Sequence, residues 1–301
     1  MWFKRCQLFR FSNRFQMTAD ALAESLQEKA FQPCGPQDSE RMGWAPPLGR
    51  YGSDLVHTGN GFMMLCARRQ AKLLPAAVVN ELLEERLSAV EDGERPLVSR
   101  KRRKEMKEAL VFELLPKAFT RSSLIYAYLA PAENLLVINN SSSSRAEELL
   151  GLLRDSLGAL SLVPVACQAP VVERMTHWVK GDIPLPAGWE LGEACELRDK
   201  ADEKSIVRCK NRNLTAAEIE GHINAGMQVS KLALNWHDKI GFMLDEKLVL
   251  RQIQYGELIE EQIEGAADPA EQFDQDFSLM TLELEQMIQS LLQALGGYAE
   301  K

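Results

Sequence analysis

The spacing of apolar and polar residues predicts strands in the first part of the chain. Residues 2–11 alternate with the period of two that a strand requires, which places Lys4 and Arg5 on opposite faces. Residues 55–67 form two apolar runs on either side of Asn60-Gly61, and this dipeptide favours a tight turn. The sequence therefore predicts an early strand and a β-hairpin.

The period changes to that of helices over residues 75–121. Pro75 can open a helix because its missing N–H is not needed in the first turn. A second helix is expected to follow and to end at Pro116, where a proline cannot continue it. The two helices are predicted to form an antiparallel hairpin that projects from the sheet.

The second of these helices carries a dense cationic run. At 100° per residue, four of its cations fall on one side, and they are Arg100, Arg103, Lys104 and Lys107. Such a cluster can form an anion-binding patch suited to phosphates. A solvated charged face on a surface helix is the alternative, since charge runs often serve only solubility.

The remaining pattern mixes strands and helices without strict alternation, which is typical of an α+β fold. We expect mixed sheets, a projecting helical hairpin and a C-terminal helical module. The apolar residues of the last helix, residues 268–296, are spaced alternately four and three, which predicts a seam for a partner helix or for a second copy of the chain. The predicted division is a central α+β sheet domain of residues 1–74 and 122–182, a projecting hairpin tip of residues 75–121, and a second α+β domain of residues 183–301 that ends in a long acidic heptad-bearing helix.

Taken alone, the net charge of −8 argues against a polyanion partner, but this charge is distributed unevenly along the chain. Residues 257–301 carry eleven acidic residues and one lysine, so the rest of the chain sums to +2. Residues 95–121 alone carry nine basic and three acidic residues, a formal charge of +6. Because electrostatic fields are local, a basic patch on an acidic protein still attracts a polyanion.

The sequence contains none of the common motifs for nucleotide binding, hydrolysis or metal binding. There is no phosphate-binding loop, no zinc-protease or nucleophile-elbow motif, and no closely spaced cysteine pair. The four histidines show no ligand spacing, and Asp274 and Asp276 are expected to diverge on a helix. The N-terminus does not read as a signal peptide, no apolar run approaches the length of a membrane span, and we expect a cytoplasmic protein with reduced thiols.

Five segments carry a family resemblance. They are FQPCGPQD (31–38), MGWAPP (42–47), LLPKAFTR (114–121), LLRDSLGAL (152–160) and KLALNW (231–236). Together they resemble the RdgC family of recombination-associated proteins along essentially the whole chain. The prolines and glycines of residues 29–49 predict an irregular segment there.

The resemblance implies a DNA-binding, recombination-related protein in the cytoplasm and on the nucleoid. It implies a ring-shaped homodimer that encircles double-stranded DNA and inhibits RecA by occupying DNA that the recombinase would use, with single-stranded DNA as a further candidate partner. It implies no membrane partner, and we expect no catalytic residue, metal or cofactor. From its position after Pro116, Phe119 is either a plug of a local core or a contact with a partner, and we assign the dimer contact to it.

The candidate phosphate contacts come from charge clustering and not from the family. They are Arg100, Arg102, Arg103, Lys104, Lys107, Lys4, Arg5, Arg68, Arg69, Lys72, Arg121 and Lys231. Two other classes of function stay open. One is a protein-interaction factor that acts directly on the recombinase, and the other is a metal-dependent nuclease whose carboxylates converge only in the fold.

Overall fold

The computed structural model describes residues 2–91, 98–158, 160–202, 204–260, 265 and 268–299. Twelve strands form one sheet in the order β2-β4-β5-β6-β1-β12-β11-β10-β8-β9, with β3 beside β4 and β7 beside β1. The strands are β1 (Arg5–Phe11), β2 (Glu40–Ala45), β3 (Val56–Gly59), β4 (Phe62–Lys72), β5 (Thr120–Ala130), β6 (Leu135–Ile138), β7 (Leu162–Pro164), β8 (Trp189–Asp199), β9 (Ile206–Lys210), β10 (Met227–Trp236), β11 (Ile240–Asp245) and β12 (Leu250–Tyr255).

The helices lie between these strands and at the C-terminal end. They are α1 (Ala19–Gln27), α2 (Ala76–Glu91), α3 (Arg100–Leu114), α4 (Ser143–Leu157), α5 (Val171–Lys180), α6 (Ala217–Asn224), α7 (Glu257–Glu260) and α8 (Pro269–Ala294). The α+β class is confirmed. Among the described strands every pairing is antiparallel, so the expected mixed sheets are instead a single antiparallel sheet, built largely from hairpins between neighbouring strands.

Strand β1 joins the two halves of the sheet. Its first residues pair with β12, where Arg5 is opposite Arg251, and its later residues pair with β6, where Leu8 is opposite Val137. The sheet is therefore continuous across the domain boundary expected near residue 183. The division of the chain into domains stays a prediction.

Two apolar clusters cover the sheet. One includes Met64 and Tyr128 and extends under α5, α6 and α8, and the other includes Leu65 and Ala127 and lies under α1 and α4. Neighbours such as Met64 and Leu65 belong to different clusters because successive residues of a strand point to opposite faces. The two clusters therefore occupy opposite sides of the N-terminal half of the sheet.

The apolar stripe of α8 packs against this sheet. Phe277, Met280, Leu284, Met287 and Leu291 are all buried in the larger cluster. Contacts of α8 include the His57 ring on β3, which meets Phe277, and the backbone N–H of Phe3, which donates to the Met280 sulfur at 3.1 Å. The stripe that was expected to seat a partner helix or a second copy is thus buried within this chain, because the spacing specifies an apolar stripe but not what covers it.

Helices α2 and α3 form the expected antiparallel pair with a small apolar cluster of its own. Val79, Leu83 and Leu87 of α2 meet Leu110 of α3, apart from the two clusters of the sheet. Ser99 caps α3, its hydroxyl accepting from the Arg102 backbone N–H at 3.3 Å. Whether this pair projects from the protein stays a prediction, and its connection, residues 92–97, lies outside the described residues, as do Glu261, Glu264 and Glu300 of the acidic C-terminal segment.

The glycine-rich and proline-rich segment is more regular than expected. Residues 40–45 form β2, paired with β4, and Trp44 is buried while its indole N–H donates to the Ser156 hydroxyl at 2.8 Å. A Cβ at Gly43 would lie 2.6 Å from the Phe31 Cα, so only glycine allows the two backbones to approach this closely. The prolines of the segment stand outside the strand, which explains why they do not interrupt it.

Candidate nucleic-acid interface

The cationic side of α3 faces α2. Arg100, Arg103, Lys104 and Lys107 line one hollow between the helices, on one side as the 100° spacing predicts. Arg103 forms an ion pair with Glu84 of α2, and the Lys107 ammonium donates to the Asn80 amide oxygen at 2.8 Å. These two cations are therefore partly satisfied within the helix pair.

The first turn of α3 is more open. Arg100 and Arg102 are exposed, and neither has an ion pair among the described residues. Lys104 is also exposed and lies 3.7 Å from Glu108 on its own helix. An exposed pair of this kind is worth little and leaves Lys104 available to a phosphate. The accessible charge of this helix is thus concentrated at its N-terminal end.

The cations of β4 do not share one surface. Arg68 lies over the Phe31 ring at 4.6 Å, whereas Arg69 points to the opposite face, where it pairs with Glu40 and lies 3.6 Å from Glu148 of α4. Lys72 and Arg121 lie near the end of the β4–β5 pair, where Ala71 is opposite Arg121. A single ligand lying flat on one face of the sheet could therefore reach Arg68 or Arg69, but not both.

The strongest gathering of cations is on the C-terminal half of the sheet, in a cavity of about 700 Å³. We call it the basic cleft. Five basic side chains and one acidic side chain line it, and they are Arg5, Arg208, Lys210, Lys231, Arg251 and Glu196. The predicted contacts Arg5 and Lys231, which lie far apart in sequence, are brought together here.

The strand period explains why these groups are accessible. Arg5, Lys231 and Arg251 each adjoin in sequence a residue of the larger apolar cluster, so they point to the other face of the sheet. That face carries the cleft, while α5, α6 and α8 pack on the first. Lys4 is on the opposite side from Arg5, as predicted, with its ammonium 5.6 Å from the centre of the Tyr255 ring.

Glu196 organises the cations at the floor of the basic cleft. It is buried, and it accepts from Arg208 Nε at 2.8 Å and from Lys231 Nζ at 2.9 Å. Burial opposes its charged form, but the hydrogen bonds from Arg208, Lys231 and Ser230 outweigh that effect and lower the pKa of Glu196 to about 2. Glu196 is therefore a fixed anion that holds its two cations in place.

Asp245 does the same for Arg251. This buried carboxylate accepts from Arg251 Nε at 2.8 Å and from the backbone N–H groups of Lys247 and Val249, each at 2.9 Å. The guanidinium is thereby held by one edge, and its Nη2 reaches the Ser141 carbonyl at 3.4 Å. The cleft thus combines positioned cations with an excess of positive charge, which suits phosphate groups.

Sequence reasoning missed Arg208, Lys210 and Arg251. A weak signal existed for the first two, because they alternate with Val207 and Cys209 and so share one side of a strand. For Arg251 the necessary information is the pairing of β1 with β12, which joins opposite ends of the chain. No local pattern records that pairing.

Exposed apolar side chains concentrate around the helix pair. Phe119 is 83% exposed, which corrects the alternative that it plugs a local core, and Phe112 on α3 is 62% exposed. Phe112 lines an apolar hollow with Val111 and Leu115, beside Lys104. This surface therefore offers apolar area that a partner contact could bury.

The acidic and histidine residues do not converge on one site. In the described ranges, no three side chains of histidine, cysteine, aspartate or glutamate form a possible metal-binding group. Asp274 reaches the His57 ring at 3.2 Å, whereas Asp276 accepts from Gln272, so the two aspartates diverge as expected. No helix of the described chain has both the length and the apolar character of a membrane span.

Known proteins resemble this chain over almost its full length. Residues 1–298 match the family described as "Putative exonuclease, RdgC". The recombination-associated protein RdgC of Aeromonas hydrophila is 40% identical over 299 residues, covering 99% of this chain and 98% of that protein. Proteins of the same name from Tolumonas auensis and Shewanella oneidensis are 40% and 37% identical, and each alignment covers at least 99% of both proteins.

A match of this extent leaves no large part of the chain outside the comparison. The segments that first suggested the family, such as the strand around Trp44, lie inside it. The relatives are named for an association with recombination, not for an enzymatic activity. The chain belongs to the RdgC family of recombination-associated proteins.

Proposed function

We propose that this protein binds double-stranded DNA through its phosphates without reading the base sequence. The observation that carries the proposal is the basic cleft, in which five cations from four different strands meet on one face. Lysine and arginine contacts to phosphates fix a protein on DNA but carry no sequence information. Binding of this kind is expected to weaken steeply with salt.

The first turn of α3 would supply a second set of contacts. Arg100 and Arg102 are exposed without an ion pair among the described residues, and Lys104 is held only by an exposed pair. In contrast, Arg103 and Lys107 already have partners on α2, so we expect them to maintain the helix pair more than to contact DNA. Lys72 and Arg121, near the end of the β4–β5 pair, are further candidates.

We further propose that two copies assemble into a ring around the duplex. Phe119 and Phe112 offer exposed aromatic surface near the helix pair, and large apolar side chains at the centre of a patch commonly carry the energy of protein association. A ring needs a second contact in each subunit, for which the structure offers no matched apolar surface on α8, because its stripe is buried. A polar second contact fits that observation.

The role in recombination would follow from the protein's occupation of duplex DNA. A protein that encircles duplex DNA denies that DNA to the RecA recombinase, and so restrains strand exchange without touching RecA. The names of the relatives support recombination as the process. Direct binding to the recombinase is the alternative, and an inhibition that disappears when excess competitor DNA captures the protein would argue against it.

The deciding experiment is a binding titration at increasing salt, using duplexes of unrelated sequence and Lys210→Glu. Lys210 lines the basic cleft and is exposed. We expect affinity to fall about tenfold on every duplex, with a salt slope smaller by about one. Lys29→Glu, an exposed lysine outside the cleft, is the matched control and should bind as the unmodified protein does. Equal binding by both variants would remove the cleft from the interface.

Whether the protein encircles the duplex as a ring needs a separate measurement. A ring should be retained on closed circular duplex and lost from linear duplex of the same length as it slides off the ends, whereas an open binder should not distinguish them. Phe119→Ala should lower the dimer fraction in sedimentation at micromolar concentration.

The nuclease alternative is tested by incubating the same DNA with the protein and Mg²⁺ or Mn²⁺. DNA products of shorter length would reveal cleavage.

A further inference from the structure

Two cysteines face each other across neighbouring strands beside the basic cleft. The register of β8 and β9 sets Cys195 directly opposite Cys209, with Glu196 opposite Arg208 on one side of the pair and Ala194 opposite Lys210 on the other. Both cysteines are free thiols. Directly opposed residues of antiparallel strands have Cα atoms about 4.5–5.5 Å apart. A disulfide spans about 4.4–6.8 Å between Cα atoms, so the register places the two cysteines within the Cα separation that a disulfide can join.

The two thiols differ in access. Cys195 is buried, whereas Cys209 is half-buried on β9, the last strand in the sheet order. Cys209 lines the basic cleft and also a second cavity of about 480 Å³ between β9 and α6. A small oxidant can therefore reach Cys209 from solvent. Burial raises the pKa of Cys195 to about 12, with a further contribution from Cys209. Cys195 is therefore a weak nucleophile toward an oxidant.

The other cysteines lack this arrangement. Cys6 and Cys66 are buried, and no strand pairing of the described residues places them opposite another cysteine. Cys34 donates its thiol to the Gln70 carbonyl at 3.3 Å, and Cys167 forms its isolated bridge with Tyr298. Within the described chain the Cys195–Cys209 pair is thus the one prepared for intramolecular oxidation.

We propose that Cys195 and Cys209 form a reversible redox pair that takes hydrogen peroxide as its oxidant. The Cys209 sulfur attacks one peroxide oxygen and becomes a sulfenic acid, and the second oxygen leaves as water. The Cys195 sulfur then attacks the sulfenic sulfur, the S–OH bond breaks, and its oxygen leaves as a second water with the Cys195 proton. Overall, two thiols are oxidised to one disulfide and one peroxide is reduced to two waters. A dithiol reverses the reaction by exchange.

Oxidation would act on the cleft through the edge strand. Arg208 and Lys210 flank Cys209, and β9 is held to the sheet through β8 alone among its described neighbours. A covalent link to β8 restricts β9 and therefore orders both cations before a ligand arrives. Ordering a binding group in advance improves affinity, so we expect the oxidised protein to bind duplex DNA about two- to fivefold more tightly. This consequence, unlike the disulfide itself, rests on the proposed function.

The redox site is tested without DNA. The full chain is treated with a small excess of peroxide and the remaining thiols are alkylated. The intact protein and its proteolytic peptides are then analysed by mass spectrometry. We expect the loss of two hydrogen atoms, two fewer alkylated thiols, and a single cross-linked peptide joining Cys195 to Cys209, all reversed by a dithiol. Cys209→Ser should abolish the cross-link, whereas Cys34→Ser, a half-buried cysteine elsewhere, should leave it intact.

Several results would overturn the redox pair: a cross-link that persists in Cys209→Ser, one that joins other cysteines, or over-oxidation of Cys209 without any cross-link. DNA binding is then compared between the oxidised protein, the reduced protein and Cys209→Ser. Equal affinities of the oxidised and reduced forms would overturn the coupling to the cleft. A disulfide that forms in a protein without affinity for DNA would uphold the redox pair and overturn the proposed function.

Discussion

Arg5 and Arg251 lie directly opposite each other where β1 pairs with β12, so two cationic residues share one cross-strand position at the joint of the sheet. Like charges in this position destabilise a strand pair by about 0.2–1 kcal/mol. Asp245 neutralises Arg251, while Arg5 is exposed and has no ion pair among the described residues. A phosphate bound next to Arg5 would reduce the repulsion between the two cationic residues.

The first prediction concerns this arginine. Arg5→Gln should leave the free energy of unfolding unchanged or raise it by up to about 1 kcal/mol, since it removes a repulsion. Its affinity for duplex DNA should fall on all sequences, and the salt slope should become smaller by about one. Chemical denaturation and fluorescence anisotropy measure the two effects. A large loss of stability would show that Arg5 has a structural role instead.

The second prediction concerns the buried carboxylate of the cleft. Because the pKa of Glu196 is lowered to about 2, its contribution to stability is complete above about pH 4.5 and is lost as pH falls toward 2. Glu196→Gln should therefore cost about 2–3 kcal/mol at pH 7 and little at pH 2. Urea denaturation across this range measures it. A cost that stays the same at every pH would assign the loss to packing and not to charge.

The third prediction concerns a carboxylate on α8. Burial raises the pKa of Glu285 to about 7, and Glu133 adds to this effect although Gln289 donates a hydrogen bond at 2.7 Å. The folded state then binds a proton that the unfolded state releases, so stability should decline as pH rises from about 4.5 to 7. Glu285→Gln should be more stable than the unmodified protein at pH 8, by up to about 3 kcal/mol, and nearly equal to it at pH 4.5.

Thermal unfolding of the two proteins at both pH values is sufficient to check the third prediction. Glu271→Gln, on the exposed first turn of the same helix, provides the control, and it should bring no gain in stability at pH 8. If Glu285→Gln were less stable at pH 8, the carboxylate would have to be held by a partner in its charged form.

The fourth prediction concerns the apolar stripe of α8. Leu284 is fully buried in the larger cluster, and Leu284→Ala should cost about 2–5 kcal/mol. Leu282, on the same helix, is 42% exposed, so Leu282→Ala should change stability by no more than about 0.5 kcal/mol. The cost of Leu284→Ala should not depend on protein concentration. A concentration-dependent cost would instead restore the hypothesis that α8 pairs with a second copy.

The fifth prediction separates two neighbouring arginines of α3. Arg102→Glu should reduce DNA affinity with little effect on stability, because the side chain is exposed without an ion pair among the described residues. Arg103→Glu should in addition weaken the α2–α3 pair, because it places two acids together at Glu84. The double variant Arg103→Glu with Glu84→Arg should recover stability. Failure to recover it would mean that the ion pair does not hold the helices.

Local chemistry made much of the fold predictable. The turn at Asn60-Gly61 forms because both residues adopt positive φ angles, +50° and +83°, that few other pairs tolerate. The start of α3 follows from a serine whose side chain satisfies a backbone N–H. Both features depend on residues within a few positions of each other, and for this reason the sequence alone was sufficient.

Features that depend on distant residues were not predictable. The stripe of α8 indicated burial, but the sheet that covers it is assembled from the whole chain. Charge counting found Arg5 and Lys231 but could not show that Arg251, from the last strand, completes their cleft. It also could not show that Glu84 would capture Arg103. In each case the missing information was a pairing of elements that are far apart in sequence.

The position of β1 has a consequence for biosynthesis. It is the first strand to leave the ribosome, and one of its edges can pair with β6 as soon as the N-terminal half has been made. Its other edge must wait for β12, the last strand of the sheet, so Arg5 is not paired with Arg251 until that strand has been made. The basic cleft is therefore incomplete until β12 has been made and has paired with β1.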